Sequence, residues 1–223
     1  MTDDGAPRAE RHRDGAHPDR PAASNAHPDA AHIDDARIRA AVSELLAAIG
    51  EDPSRPGLVD TPARVAESYA EFFSGVGADP LVHLGETELL EDAGHREGEL
   101  VLVKGIDFRS VCEHHLLPFL GVAHLAYLPR ERVVGLGKLP RVVETLAARP
   151  QLQERLTEQV ADALQTGLDA LGVLVVLEAT HACVTTRGSR QARSTTVTVA
   201  SRGRLSDAAE RAEAMALIGA AHV

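Results

Sequence analysis

Both cysteines of this chain sit beside histidines. Cys112-Glu113-His114-His115 is one group and His181-Ala182-Cys183 the other. Cys112 and His115 are three residues apart, and a tight turn lets both reach one point. Residues two apart on a strand share a face, so His181 and Cys183 are expected to project together. Two thiolates and one imidazole make a three-ligand zinc set of the kind that keeps a fourth position for water. Zinc lowers the pKa of such a water toward neutrality and supplies a hydroxide nucleophile. His114 and His181 then remain for proton transfer. Spacing alone leaves two alternatives open: thiols buried as small apolar residues, or a disulfide, which a reducing compartment disfavours.

Several elements must position these groups. Ile38, Val42, Leu45, Leu46 and Ile49 recur at helical spacing, and Gly50 ends that helix. Asp60-Thr61-Pro62 starts a second helix, which carries Val65, Tyr69, Phe72 and Phe73. Residues 76–97 read as loop and 99–108 as a strand. Segments 119–129 and 132–139 flank a short turn and predict an antiparallel hairpin. A helix over 140–147 and another over 151–170 follow, the second with Leu152, Leu156, Val160, Leu164 and Leu168 every fourth residue. Strands are expected over 173–184 and 194–203, and an Ala-rich helix over 205–219. The pattern is α+β.

Composition bounds the rest. With 223 residues, 44% of them hydrophobic, the chain can bury a sizeable core. Aromatics are only 3%, so Val, Leu and Ala must build it. Acidic residues outnumber basic ones 33 to 23, which argues against a nucleic-acid surface. No apolar run approaches roughly 18 residues, so no membrane partner is expected. The N-terminus lacks an apolar signal core, and a cytoplasmic location is expected. Two cysteines exclude a disulfide scaffold. Residues 1–32 almost lack large apolar side chains and cannot offset their ordering entropy. A disordered tail is therefore expected over 1–36. His12, His17, His27 and His32 within it read as solvated linker rather than as metal ligands.

The sequence resembles the GTP cyclohydrolase I family over about 37–205. The matching segments are 60–75 (DTPARVAESYAEFFSG), 110–121 (SVCEHHLLPFLG), 135–144 (GLGKLPRVVE), 149–164 (RPQLQERLTEQVADAL) and 178–188 (EATHACVTTRG). The resemblance implies a tunnelling fold, an antiparallel sheet with helices on one face that assembles into a barrel. It also implies a homodecamer with active sites at subunit interfaces. The implied reaction opens the imidazole ring of GTP, releases formate and recloses to 7,8-dihydroneopterin triphosphate, feeding pterin and tetrahydrofolate synthesis. Carried over by motif, Cys112, His115 and Cys183 are the zinc ligands, and His114 and His181 the catalytic histidines. Glu154 anchors guanine, whose paired donors a carboxylate accepts, and Gln153 assists it. Lys138, Arg141, Arg187 and Arg64 match positions that contact the triphosphate; the arginines offer a planar fork suited to phosphate oxygens.

The chain departs from the family at some of these positions. Gly137 stands where many members have Ser, Glu67 where some have Lys, and Val122 where Lys is frequent; Pro140 interrupts the segment after Lys138. These departures touch neither the metal nor the proton-transfer set, so altered triphosphate affinity with retained ring opening is expected. The rival readings are a paralogue acting on another purine nucleotide or in a specialised pterin pathway, and a non-catalytic zinc- and nucleotide-binding subunit. A pterin synthase of the same fold is disfavoured, because those generally hold zinc with three His.

Overall fold

The computed structural model describes residues 33–219 apart from Ala93 and His95. The four tail histidines lie outside the described residues. The chain opens with α1 (Asp35–Ala48), capped by the Asp34 carboxylate accepting from the Arg37 amide, and α2 (Thr61–Phe72), which has Pro62 in its first turn. The two helices pack on each other. Ahead of the sheet come a 3-10 turn (Pro80–Leu84) and a short strand, β1 (Thr87–Leu89).

The sheet elements are β2 (Val101–Cys112), β3 (Pro118–Leu128), β5 (Pro150–Gln151), β6 (Gly172–His181) and β7 (Thr196–Gly203). They form one five-stranded sheet in the order β5-β2-β3-β6-β7. All neighbours are antiparallel except the short parallel β5–β2 pair. Alternation sets the faces. Phe119, Ala123, Leu125 and Tyr127 of β3 and Val173, Val175 and Leu177 of β6 join one core with two helices, α3 (Lys138–Ala147) and α4 (Gln153–Leu168). Leu139, Val142, Val143 and Leu146 form the apolar stripe of α3, and Leu156, Val160 and Leu164 that of α4; all are buried. Pro140 falls in the first turn of α3, where a missing N–H costs nothing. On the other face a smaller cluster joins Ala126, Leu128, Leu174 and Val176 to Leu205 of a 3-10 turn (Arg204–Ser206) and Ala214 of α6 (Ala208–Gly219). This is the α+β layout expected from the sequence. No helix among the described residues is long and apolar enough to cross a membrane.

Two expectations need correcting. Segment 132–139 does not pair with 119–129. Only β4 (Arg132–Val134) is a strand, and it pairs with β1 in a separate two-stranded sheet. Gly135 and Gly137 interrupt the apolar run, and Lys138 already begins α3. The real hairpin is β2–β3, joined by the turn that carries the Cys–His group. The second correction concerns 173–184: β6 ends at His181, and Cys183 lies in a four-residue helical turn, α5 (Ala182–Thr185). His181 and Cys183 are therefore not same-face strand neighbours.

Candidate functional site

The Cys112–His115 turn is tight. Leu116 N–H donates to the Cys112 carbonyl at 2.9 Å, and Cys112 N–H donates to the Leu117 carbonyl at 2.9 Å. Leu116 takes φ 51°, a region that favours glycine, so the chain reverses at a cost of about 1–2 kcal/mol. The turn is braced from α4, where Arg155 forms an ion pair with Glu113. Glu113 N–H also donates to the Gln151 carbonyl at 3.0 Å. The helical turn after β6 brings Cys183 to the same place. One ligand atom each from Cys112, His115 and Cys183 lie within 4.8 Å of one another.

This donor set fits zinc. A tetrahedral ion with sulfur at about 2.3 Å holds two thiolates roughly 3.8 Å apart. Both cysteines are free, which removes the disulfide alternative. Burial, and then the neighbouring Cys112, push the Cys183 thiol above its ordinary range. A cation reverses that preference, because the thiolate is the ligand. Arg187 donates through Nη2 to His115 Nε2 at 3.2 Å, a lone pair that a metal ion can take instead.

His181 stands beside this centre. Its ring stacks on Phe119 with centroids 4.6 Å apart and planes 6° from parallel. The two residues are registered partners across β3 and β6. Its Nε2 lies 2.7 Å from Gln153 Oε1. Burial holds the imidazole below its ordinary pKa, and Glu154, one residue past Gln153, opposes that shift through its charge. His114 is exposed and stands edge-on to His115, centroids 6.2 Å apart.

Gln153 is not available to a nucleotide here. It is 1% exposed, and its amide is used internally on the Leu177 and Thr196 carbonyls, the Thr198 hydroxyl and His181. Its side chain is thus committed within the chain, whereas the neighbouring Glu154 is exposed. Phe119 was not singled out from sequence, and only the β3–β6 register reveals its role.

The remaining cations are dispersed. Lys138 pairs with Glu86 at 2.5 Å, and Arg141 is exposed on the first turn of α3. Arg64 is exposed on α2 and pairs with Asp60 at 3.3 Å. Among the described residues of one chain, no hydrogen bond or ion pair joins these three to the Cys–His cluster. Glu67 lies on α2, close enough to Arg39 of α1 for its charge to act on that guanidinium. Val122 lies in register with Asp107 and Glu178.

The profile described as GTP cyclohydrolase I matches residues 38–219. A relative from Leifsonia xyli subsp. xyli named GTP cyclohydrolase 1 is 63% identical over 187 residues, 84% of this chain and 96% of that protein. Another of the same name from Rhodopirellula baltica is 53% identical over 190 residues, 85% of this chain and 81% of that protein. A solved archaeosine synthase QueF-like structure aligns at TM-score 0.40 and 18% identity, over 48% of this chain and 97% of that one.

Proposed function

The chain belongs to the GTP cyclohydrolase I family of hydrolases, and on that premise we propose that it opens the imidazole ring of GTP, releases formate and recloses the product to 7,8-dihydroneopterin triphosphate. The observation that carries this reading is the convergence of Cys112, His115 and Cys183 beside His181. Zinc held by those three residues would supply an activated water for attack at C8. His114 and His181 handle the protons: one protonates the ring nitrogen as C8 becomes tetrahedral, and the other takes up or returns a proton as the C–N bond opens. His181 is suited to this because burial favours its neutral form, leaving it able to accept. The Glu154 carboxylate, near His181, takes the paired guanine donors and sets the base against the metal.

The triphosphate needs cations that an acidic chain must gather locally. Arg187, beside His115, is one. Lys138, Arg141 and Arg64 complete the set in this reading, contributed across subunit boundaries in a homodecamer. Support comes from their separation from the Cys–His cluster within one chain. The product feeds pterin and tetrahydrofolate synthesis.

The test is incubation of the zinc-loaded protein with GTP, assayed for formate and for pterin fluorescence after oxidation. Both signals are expected. Formate alone would mean ring opening without reclosure, and neither signal with one zinc per chain would sink the GTP reading in favour of another nucleotide or a binding role. Interface sites predict that mixing a Cys112→Ala chain with an Arg141→Ala chain restores part of the activity.

A further inference from the structure

We propose that Gln153 is a positioning residue that fixes His181 as its Nε2–H tautomer, leaving Nδ1 as the ring nitrogen that meets the substrate. The inference rests on the reading of His181 as a proton-transfer group. A histidine's tautomer is set by the partner of its other nitrogen. A single 2.7 Å contact to an amide does not by itself say which atom donates. The surrounding network does.

Gln153 Nε2 lies 3.1 Å from the Leu177 carbonyl and 2.9 Å from the Thr196 carbonyl. Carbonyl oxygens only accept, so the amide nitrogen must be on that side. The opposite amide orientation would set its oxygen against two further oxygens. Oε1 therefore faces His181, and because it too only accepts, the proton is on His181 Nε2. The threonines close the circuit. Thr157 Oγ1 donates to the Gln153 carbonyl at 2.7 Å, which uses its single hydrogen. Its 2.6 Å contact with Thr198 Oγ1 is thus donated by Thr198. The Thr198 oxygen is left to accept from Gln153 Nε2 at 3.1 Å. The two Gln153 Nε2 hydrogens are shared among three acceptors, the Leu177 and Thr196 carbonyls and Thr198 Oγ1, and none of the three is His181. Gln153 and Thr157 are each 1% exposed, so water does not compete for these bonds.

The ring is held in a second way. Phe119, fully buried, stacks on His181 and fixes its plane. Turning the ring over within that stack would break the bond to Gln153. Among the described residues, Nδ1 has no hydrogen-bond partner. A reading of Gln153 as a guanine contact predicts a different phenotype, so the two separate experimentally.

The experiment uses the full-length, zinc-loaded protein labelled with 15N-histidine and observed by solid-state NMR at alkaline pH, where neutral rings dominate. His181 is assigned by the signals lost in His181→Asn. An Nε2–H, bare-Nδ1 ring is expected in the wild type, and an Nδ1–H ring would overturn the proposal. In Gln153→Met, which keeps side-chain length without the polar atoms, the tautomer signature should become mixed. The kcat for GTP should fall about 10- to 100-fold, as for other lost orienting partners of active histidines, with KM and zinc content unchanged. A raised KM with unchanged kcat would make Gln153 a GTP contact and overturn the proposal; so would an unchanged kcat. Should Gln153→Met fail to fold, the wild-type spectrum decides alone. Failure of the functional reading is distinct, since it would appear as wild-type protein yielding neither formate nor pterin.

Discussion

Substituting Gly121 by Ala should damage the fold and the site together. Gly121 lies in mid-β3, opposite Phe108 of β2 and Ala179 of β6. A methyl there would collide with the Glu178 carbonyl and lie 2.6 Å from Ala179 Cβ and 2.8 Å from Ala179 Cα. Two of these three atoms are backbone of a central strand, so no side chain can swing aside. Overpacking of a core costs about 1–3 kcal/mol, and the absence of a flexible neighbour argues for the upper end, about 3 kcal/mol. At about 2–4 °C per kcal/mol for a chain of this size, Tm should fall by about 6–12 °C. The damage should travel two residues along each strand. Prising β6 from β3 separates Phe119 from His181, the next pair of the same facing. Pterin formation should thus lose kcat more than it raises KM for GTP. Calorimetry and steady-state kinetics on the same preparation test both halves. A variant with wild-type Tm and kcat would refute the reasoning, because it would mean that the strands part at no cost and that the Phe119 stack is idle.

Other outcomes follow from the site. Cys112→Ala and Cys183→Ala should each lose bound zinc by elemental analysis, whereas His114→Ala and His181→Asn should retain it and lose about 100- to 10,000-fold in rate; metal loss from the His181 variant would mean a different ligand set. Chelation should lower Tm as well as activity, because an ion shared by Cys112 and Cys183 closes a long loop that, treated like a disulfide, is worth about 4 kcal/mol; an unchanged Tm in the metal-free protein would contradict this. Gly137→Ser meets no atom within 4 Å and places a capping hydroxyl at the start of α3, so it should add a few tenths of a kcal/mol and lower KM for GTP, and a KM that rises would remove Gly137 as the cause of altered affinity. Burial, and then Arg141, hold His83 below its ordinary pKa, and burial does the same to His181. Between the folded and unfolded values the unfolded chain binds more protons, so stability is full above about pH 6.5 and declines as pH falls below it. Urea midpoints from pH 7.5 to 5 should show that decline, flattened in His83→Asn, and an identical slope in the variant would exclude His83.

Periodicity made the helices legible. The four-residue spacing of Leu156, Val160 and Leu164 is the buried stripe of α4, and Asp60-Thr61-Pro62 opens α2. The Cys–His pairing was legible too, because zinc chemistry restricts which residue types can share a point. Long-range register was not. Nothing local says that 132–134 pairs with β1 rather than with β3, and the apolar run through Leu139 hides a strand-to-helix change that only the glycines hint at. The stack of Phe119 on His181 depends on pairing across 62 positions of separation between β3 and β6. Gln153 looked like a neighbour of Glu154 on an exposed first turn, yet helix phase turns it inward while Glu154 faces out.

The Cys–His cluster and His181 collect at one end of the sheet. β2 and β6 run in the same direction on either side of β3, and both finish there, at Cys112 and His181. β3 starts there and leaves, carrying its 11 residues to Leu128 at the opposite end. At about 3.3 Å per residue that is roughly 35 Å of strand. The turn beyond it, at Arg130 and Glu131, is exposed, and among the described residues no hydrogen bond or ion pair joins it to the Cys112–His115 turn. A dye coupled at Arg130 would thus report from a fixed remove within its own chain. On the proposed reading, a fluorescent GTP analogue would settle at the other end and fall within energy-transfer range, and the strand would serve as a molecular ruler for following nucleotide arrival in real time.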